Sequence, residues 1–516
     1  MKKFHRTLVF GSSLLALTAL SACGPDEIVS PGTSGDIIIN NPAPTPTPTP
    51  TGGTGNVTPA SGCPTISDPQ GLANGGTIEG PTGEWRICEL PAKLNVSSTL
   101  PKVAGVLYAL TGRTDIGTDG GAVASGSDTN VTLTIDPGVI VYAETPRSYL
   151  VVNRGNKINA VGTSAQPIVF TSRDNVQGVA GDSSIGQWGG VVLLGRAPVS
   201  DCRDGTPNKP NQADCEQELE GAALTTLFGG NTAADNSGKM QYFQIRFSGF
   251  TLELGSELQS LTLGGVGSGT VIDHFQSFNS SDDGMEMFGG GMNMSEVIVV
   301  GADDDSLDVD TGAKLNMKNV IATQRTNGGD NLIELDSPAD DYTTSALPQT
   351  VLNVSSFTFI ERSTANSQVV RARGGAKLNL ANGVMDTDNE TCIRIDEQVT
   401  MDANPTFNSV IGDCDSARPF DGVASDDSDL LAKWNAGSNN NAAVTLTLTN
   451  LFVNGSNEDG VVTYNPSSLS SFFAAAPDKI GAAWTGNTSW YTGWTCNSST
   501  TGFGTGNTGL CTTLPI

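Results

Sequence analysis

Histidine is almost missing from this chain: two occur in 516 residues, and only His274 lies beyond the first 22 positions. No CxxC spacing occurs either, so a zinc centre has no ligand framework. No general base, nucleophile or cofactor motif of familiar spacing stands out. Basic residues are scarce, with 27 Lys and Arg against 54 Asp and Glu. A surface so acidic repels nucleic acid and favours cations. It also disfavours direct adhesion to anionic lipid. Uninterrupted helix-length stretches are few, because 62 Gly and 26 Pro punctuate the chain. Beyond residue 23 no apolar run reaches the length of a membrane span, so this part of the chain is not expected to act as a transporter by itself.

The start differs from the rest. Lys2, Lys3 and Arg6 precede an apolar stretch from Leu8 to Leu20, too short to span a bilayer comfortably. It reads as a signal peptide over residues 1–22. The next residues, Leu20-Ser21-Ala22-Cys23, resemble the lipobox of bacterial lipoproteins. The resemblance implies acylation at Cys23, and Gly24 in place of Asp implies sorting to the outer membrane. Removing the three basic residues of the signal leaves 24 against 54 acids, a net charge near −30. Residues 23–62 contain alternating Thr-Pro up to Thr51 and then Gly52, Gly53 and Gly55. Such a segment is a tether, extended at ~3.1 Å per residue where the prolines alternate.

Without Cys23, eight cysteines remain, close in sequence as Cys63/Cys88, Cys202/Cys215, Cys392/Cys414 and Cys496/Cys511. The even count in an exported chain suggests four disulfides. Several connectivities are open, and pairing of sequence neighbours is the expectation.

Short Val, Ile, Leu and Thr runs recur between Gly, Asn and Pro, so the fold is expected to be all-β. "LTIDPGVIV", "INAVGT" and "PIVFTS" resemble the strand and turn phrases of right-handed parallel β-helix proteins over roughly residues 100–415. In such a solenoid each coil buries its apolar face against the next. The expected division is a β-helix with an N-terminal cap over 63–415 and a C-terminal β/cap region over 416–516, with a two-sheet sandwich as the rival.

An acidic repeat gives the coil period. Asp282-Asp283-Gly284-Met285-Glu286-Met287 aligns with Asp304-Asp305-Ser306-Leu307-Asp308-Val309 after 22 residues, and Asp330-Asn331-Leu332-Ile333-Glu334-Leu335 is a looser third copy. Apolar residues flank one acid at strand spacing, so Glu286, Asp308 and Glu334 are expected to form an outward ladder. Asp283, Asp305 and Asp330 are expected to form a second row at the preceding turn. Like charges ~5 Å apart repel by roughly 3 kcal/mol at an effective dielectric near 20. A hard cation with many oxygen ligands would offset this, which points to calcium held by Asp283, Glu286, Asp304, Asp305, Asp308, Asp310, Asp330 and Glu334. Turn formation alone accounts for the row of Asp283, Asp305 and Asp330 without an ion.

Grouped carboxylates on a β-helix resemble the polygalacturonase-like hydrolases and the pectate lyases. That resemblance implies Asp283, Asp304, Asp305 and Asp308 as catalytic carboxylates, with Arg325 or Arg394 assisting. The Gly-His-Gly and Arg-Ile-Lys phrases of the hydrolases are absent. "SLTLGGVGSGTVIDHFQSFNSSDDGMEMFGG" at 260–290, "VVGADDDSLDVDTG" at 299–312, "GQWGGVVLLGRAPVS" at 186–200 and "KIGAAWTGNTSWYTGWTCN" at 479–497 resemble a broad group of bacterial surface lipoproteins. Members of that group are often found beside TonB-dependent outer-membrane receptors, which implies an accessory, ligand-binding role. The tryptophans of the last phrase, Trp484, Trp490 and Trp494, are expected to close the open end of the core, with a short helix over Ser467–Ala476 in the same cap.

The sequence-level expectation is therefore a lipid-anchored outer-membrane protein that binds calcium and an extracellular ligand such as a polysaccharide. A polysaccharide lyase or hydrolase is the alternative.

Overall fold

The computed structural model describes residues 57–516 except 204–211, 220–221, 223, 254–255, 338–347, 364–367 and 388–389. The expected signal peptide, Cys23 and all of the tether before residue 57 lie outside the described residues. Among the described residues no helix is long and apolar enough to cross a membrane.

Short strands separated by Gly and Asn turns pair in parallel with the strand one coil away, giving a sheet of 15 strands and another of 11. The chain is a parallel β-helix, as its strand phrases imply. Early coils contribute separate strands to the larger sheet, Lys157–Val161 and Ile168–Ser172, and both pair with the single longer strand Gly238–Arg246. From that coil onward one residue makes the corner. Tyr242, His274, Glu296, Asn319, Ser356, Asn382 and Ser409 all have φ between 50° and 61°. They occupy equivalent positions in successive strands. Left-handed backbone is unfavourable for side-chain-bearing residues, so its recurrence at one register position marks a corner imposed by stacking.

Alternation then sorts the side chains. In the smaller sheet Met285, Met287, Leu307, Val309, Ile333 and Leu335 point inward and are 0 % exposed. The residues between them point outward. In the larger sheet Val297-Ile298-Val299-Val300 is apolar on both faces. Val297 and Val299 join the central core, while Ile298 and Val300 join Phe247, Phe278 and Ile321 in a second apolar cluster outside it. Outside the corner, Asn293, Asn316, Asn353 and Asn379 stack with each amide nitrogen donating to the preceding side-chain oxygen at 2.7 Å.

The outer apolar strip is covered by the C-terminal segment. At the last coil the helix Ser428–Ala436 brings Leu430 and Trp434 onto Phe407 and Phe420 and closes the core. The chain then runs back along the larger sheet. Ile480 packs on Val384 and Ile411, Ala482 N–H donates to Thr358, and the Cys496 backbone is clamped by Gln276. Buried Arg246 donates to the carbonyls of Cys511 and Thr513, and Leu514 reaches Ile78 and Trp85 near the first coil. The expected end cap is thus corrected: Trp434 closes the core, whereas Trp490 and Trp494 belong to a strap on the outer face. An exposed double-sided apolar run needs such a cover. The expected helix over Ser467–Ala476 is corrected to a 3-10 turn, Pro466–Ser468, capped by the Asn465 side chain, and the chain beyond it buries Phe473. All four cysteine pairs form as sequence neighbours: Cys63–Cys88, Cys202–Cys215, Cys392–Cys414 and Cys496–Cys511.

Candidate functional site: an acidic pocket on the smaller sheet

Strand register places Thr262, Glu286, Asp308, Glu334, Arg371, Arg394 and Asp421 in one outward file. The expected ladder of Glu286, Asp308 and Glu334 is therefore real, and its sign reverses at Arg371. The second expected row is corrected. Continuing the same register, Asp283 aligns with Asp305 and then with Asn331, while Asp330 falls in line with Asp304 and Asp282. Hydrogen bonds fix this register: Asp283 Oδ1 accepts from Asp305 N–H at 3.0 Å, and Asp305 Oδ1 accepts from Asn331 N–H at 2.6 Å. The third coil is longer than the second, so a row drawn from Asp305 to Asp330 slips by one residue.

The two turn rows and the outward file converge. Carboxylate oxygens lie within 4.8 Å of one another in four overlapping groups: Asp282, Asp283 and Asp304; Asp283, Glu286 and Asp308; Asp304, Asp305 and Asp330; Asp305, Asp308 and Glu334. All of them except Asp330 line a pocket of about 190 Å³ whose lining is completed by Glu257 and Gln259. No Lys or Arg lines it among the described residues. Asp283, Glu286 and Asp305 are at most 5 % exposed, and Asp308 Oδ1 is buried with no hydrogen-bond partner among the described residues.

Lost hydration, and then mutual repulsion, act on these acids together. Burial pushes the carboxyls of Asp283, Asp305 and Asp308 well above the usual range, and neighbouring carboxylates push them further. The same causes move Asp282 up to about 7 and Asp304 up to about 6. Asp330 is also raised, chiefly by burial and then by Glu334.

Not every predicted residue belongs. Asp310 points outward two residues past Asp308, outside the pocket, and burial followed by Asp336 raises it to about 7. Arg325 pairs with Asp303 and does not line the pocket. Arg394 lies two coils past Glu334 and bonds Asp396 at 2.7 Å. The nearer cations are Arg371, whose Nη1 approaches Glu334 at 3.3 Å, and Arg373, whose Nη2 approaches it at 3.4 Å. Sequence reasoning missed Asp282, Glu257 and Gln259. The repeated Asp-Asp doublet at 282–283 and 304–305 held the signal for the first, whereas the other two come from a preceding coil without the motif.

Among the described residues the potential metal ligands here are all oxygens, and the clustered carboxylates come from turns and strands of three adjacent coils. That set fits a hard divalent cation of irregular coordination, calcium above magnesium, whose octahedron is more demanding. The unpartnered, buried Asp308 Oδ1 supports the fit.

Fold and site together define a parallel β-helix with an oxygen-lined acidic pocket on one face. A family model described as a pectate-lyase-like β-helix domain matches residues 121–495. The chain belongs to that family. Comparison with curated proteins and with solved structures finds no match.

Proposed function

We propose that this protein is an exported, lipid-anchored β-helix that binds calcium in the acidic pocket and uses the site to recognise an extracellular ligand. The carrying observation is the convergence of eight acidic side chains on one pocket that no basic side chain lines among the described residues. Elsewhere the same solenoid stacks Asn293, Asn316, Asn353 and Asn379, whose amides bond one another. Amides would serve a purely structural stack equally well, and carboxylates repel when stacked. Retaining acids at this pocket therefore favours a cation. When bound, calcium supplies a hard positive centre that neutralises the acids and accepts further oxygen ligands. Asp283, Glu286, Asp304, Asp305, Asp308 and Glu334 would hold it, with Asp282 and Asp330 at the rim. The lipobox at Cys23 supports anchoring at the outer membrane, and the resemblance to surface lipoproteins supports a role beside a TonB-dependent receptor.

Equilibrium dialysis of the metal-stripped full chain should show saturable calcium uptake that Asp305→Asn weakens. No uptake by the folded protein would remove this reading. Recovery in outer-membrane fractions, lost in Cys23→Ser, tests the anchor, and co-purification of a receptor tests the partner.

One observation favours a second reading, polysaccharide cleavage. Arg371 and Arg394 directly follow Glu334 in the outward file, so a cation site and guanidinium groups share one face, and the family is pectate-lyase-like. Arg371 is nevertheless tied to both Glu334 and Asp396. Calcium-dependent release of unsaturated sugars from an acidic polysaccharide, abolished in Arg371→Met without loss of calcium binding, would replace recognition by catalysis.

A further inference from the structure

A larger cleft lies apart from the acidic pocket and shares no lining residue with it. It opens between the turn 323–327, Arg362, the loop at Asp182 and Ser183, and the strap at Leu451, Ser499 and Thr500. Its volume is about 580 Å³, within the ~300–1,000 Å³ range of small-molecule sites. Leu451 is the one apolar residue of its lining among the described residues. Hydroxyls, amides and guanidinium groups make up nearly all the rest.

Charge in the cleft is already balanced. Arg325 is paired with Asp303, and Arg362 with Asp386 at 2.7 Å. Asp182 adds a carboxylate, which accepts from Ser499 N–H at 2.9 Å. The walls thus offer fixed donors and acceptors but no surplus positive charge for an anion. Each sugar hydroxyl is donor and acceptor at once, which suits alternating amide, hydroxyl and paired-ion groups. Two buried atoms of the lining add a specific demand. Thr323, 1 % exposed, has no hydrogen-bond partner for Oγ1 among the described residues, and neither has Arg325 Nε.

The walls are also built before any ligand arrives. Asn279 Nδ2 donates to the Asp182 carbonyl at 2.6 Å, and Arg325 and Gly328 form an antiparallel bridge across the turn. The strap that seals the outer apolar strip supplies the third wall, so its course from last coil to first creates the cleft. From this geometry we infer that the cleft between the strap and the turn 323–327 is a binding site for an uncharged polyhydroxylated ligand, an oligosaccharide of neutral sugars. The inference does not depend on the cation reading.

The test is ligand-observed NMR and calorimetry on the full chain, using neutral gluco-, manno- and xylo-trisaccharides and trigalacturonate as the anionic probe, each with and without chelator. At least one neutral trisaccharide should bind saturably, with or without chelator, and in preference to trigalacturonate. Thr323→Val, which exchanges the hydroxyl for a methyl group of similar size, should weaken it about tenfold. Asn327→Ala, at an exposed position, should also weaken it and guards against a folding defect in the first variant, with melting curves confirming both folds. No neutral binding at millimolar concentration, preference for trigalacturonate, loss of binding with chelator, or wild-type affinity in both variants would each overturn the inference.

Discussion

Asp283 accepts the backbone N–H of Asp305 on its Oδ1, which ties the acidic turns of two adjacent coils together in a pocket where both residues are almost fully buried. The bond satisfies one amide and at the same time fixes two like charges at coil spacing. Stability of this region therefore depends on what neutralises the acids.

The sharpest mutation is Asp308→Asn. It keeps size and removes one charge from the centre of the file between Glu286 and Glu334. Metal-stripped protein should gain about 1–3 kcal/mol from the lost repulsion, while calcium should stabilise the variant less than the wild type. Denaturant melts with and without calcium check both arms. Equal destabilisation in the two conditions would show that Asp308 only holds the strand.

Acid titration gives a sign that differs from ordinary carboxylates. Asp282 and Asp304 have native values raised to about 7 and about 6 from an ordinary 3.8, so the folded state binds more protons than the unfolded chain. Their contribution is fully present below about pH 4 and is lost as pH rises through 6 to 7. The metal-stripped protein should melt at a lower temperature at pH 8 than at pH 5. On the proposed reading calcium takes the deprotonated acids, so adding it should raise the melting temperature most at pH 8. A stripped protein that becomes steadily more stable between pH 5 and 8 would contradict the assignment.

The strap makes a separate prediction. Cys496 and Cys511 close a loop of 15 residues at its end, and a loop of that length is worth about 3 kcal/mol. The double Cys→Ser variant should lose about that much in denaturant melts and become sensitive to limited proteolysis between 498 and 510. Calcium uptake should be unaffected, because the strap lies on the other sheet.

Much of this was legible in the sequence. Met285-Glu286-Met287 and Leu307-Asp308-Val309 put acids between core residues, so strand alternation alone placed Glu286 and Asp308 outward and adjacent. The row of Asp283, Asp305 and Asp330 failed because coil length is not constant: register must be counted from the buried Leu307 and Ile333, which puts Asn331 beside Asp305. Arg371 is harder to assign, since it follows Glu334 by 37 residues, a spacing that no repeat in the sequence marks. The strap is less legible, although Val297-Ile298-Val299-Val300 carries its trace. Four successive apolar residues cannot all face one core, and the outer two require a cover whose source the run does not name.

The central claim is that adjacent coils share a cation. A crystal structure of the full chain grown with calcium tests it most directly. The account predicts density for an ion in the acidic pocket, at about 2.3–2.6 Å from carboxylate oxygens that include Asp283, Asp305 or Asp308, with Asp308 Oδ1 engaged. An empty pocket at saturating calcium and neutral pH, with the same carboxylates bonded to one another through shared protons, would contradict it.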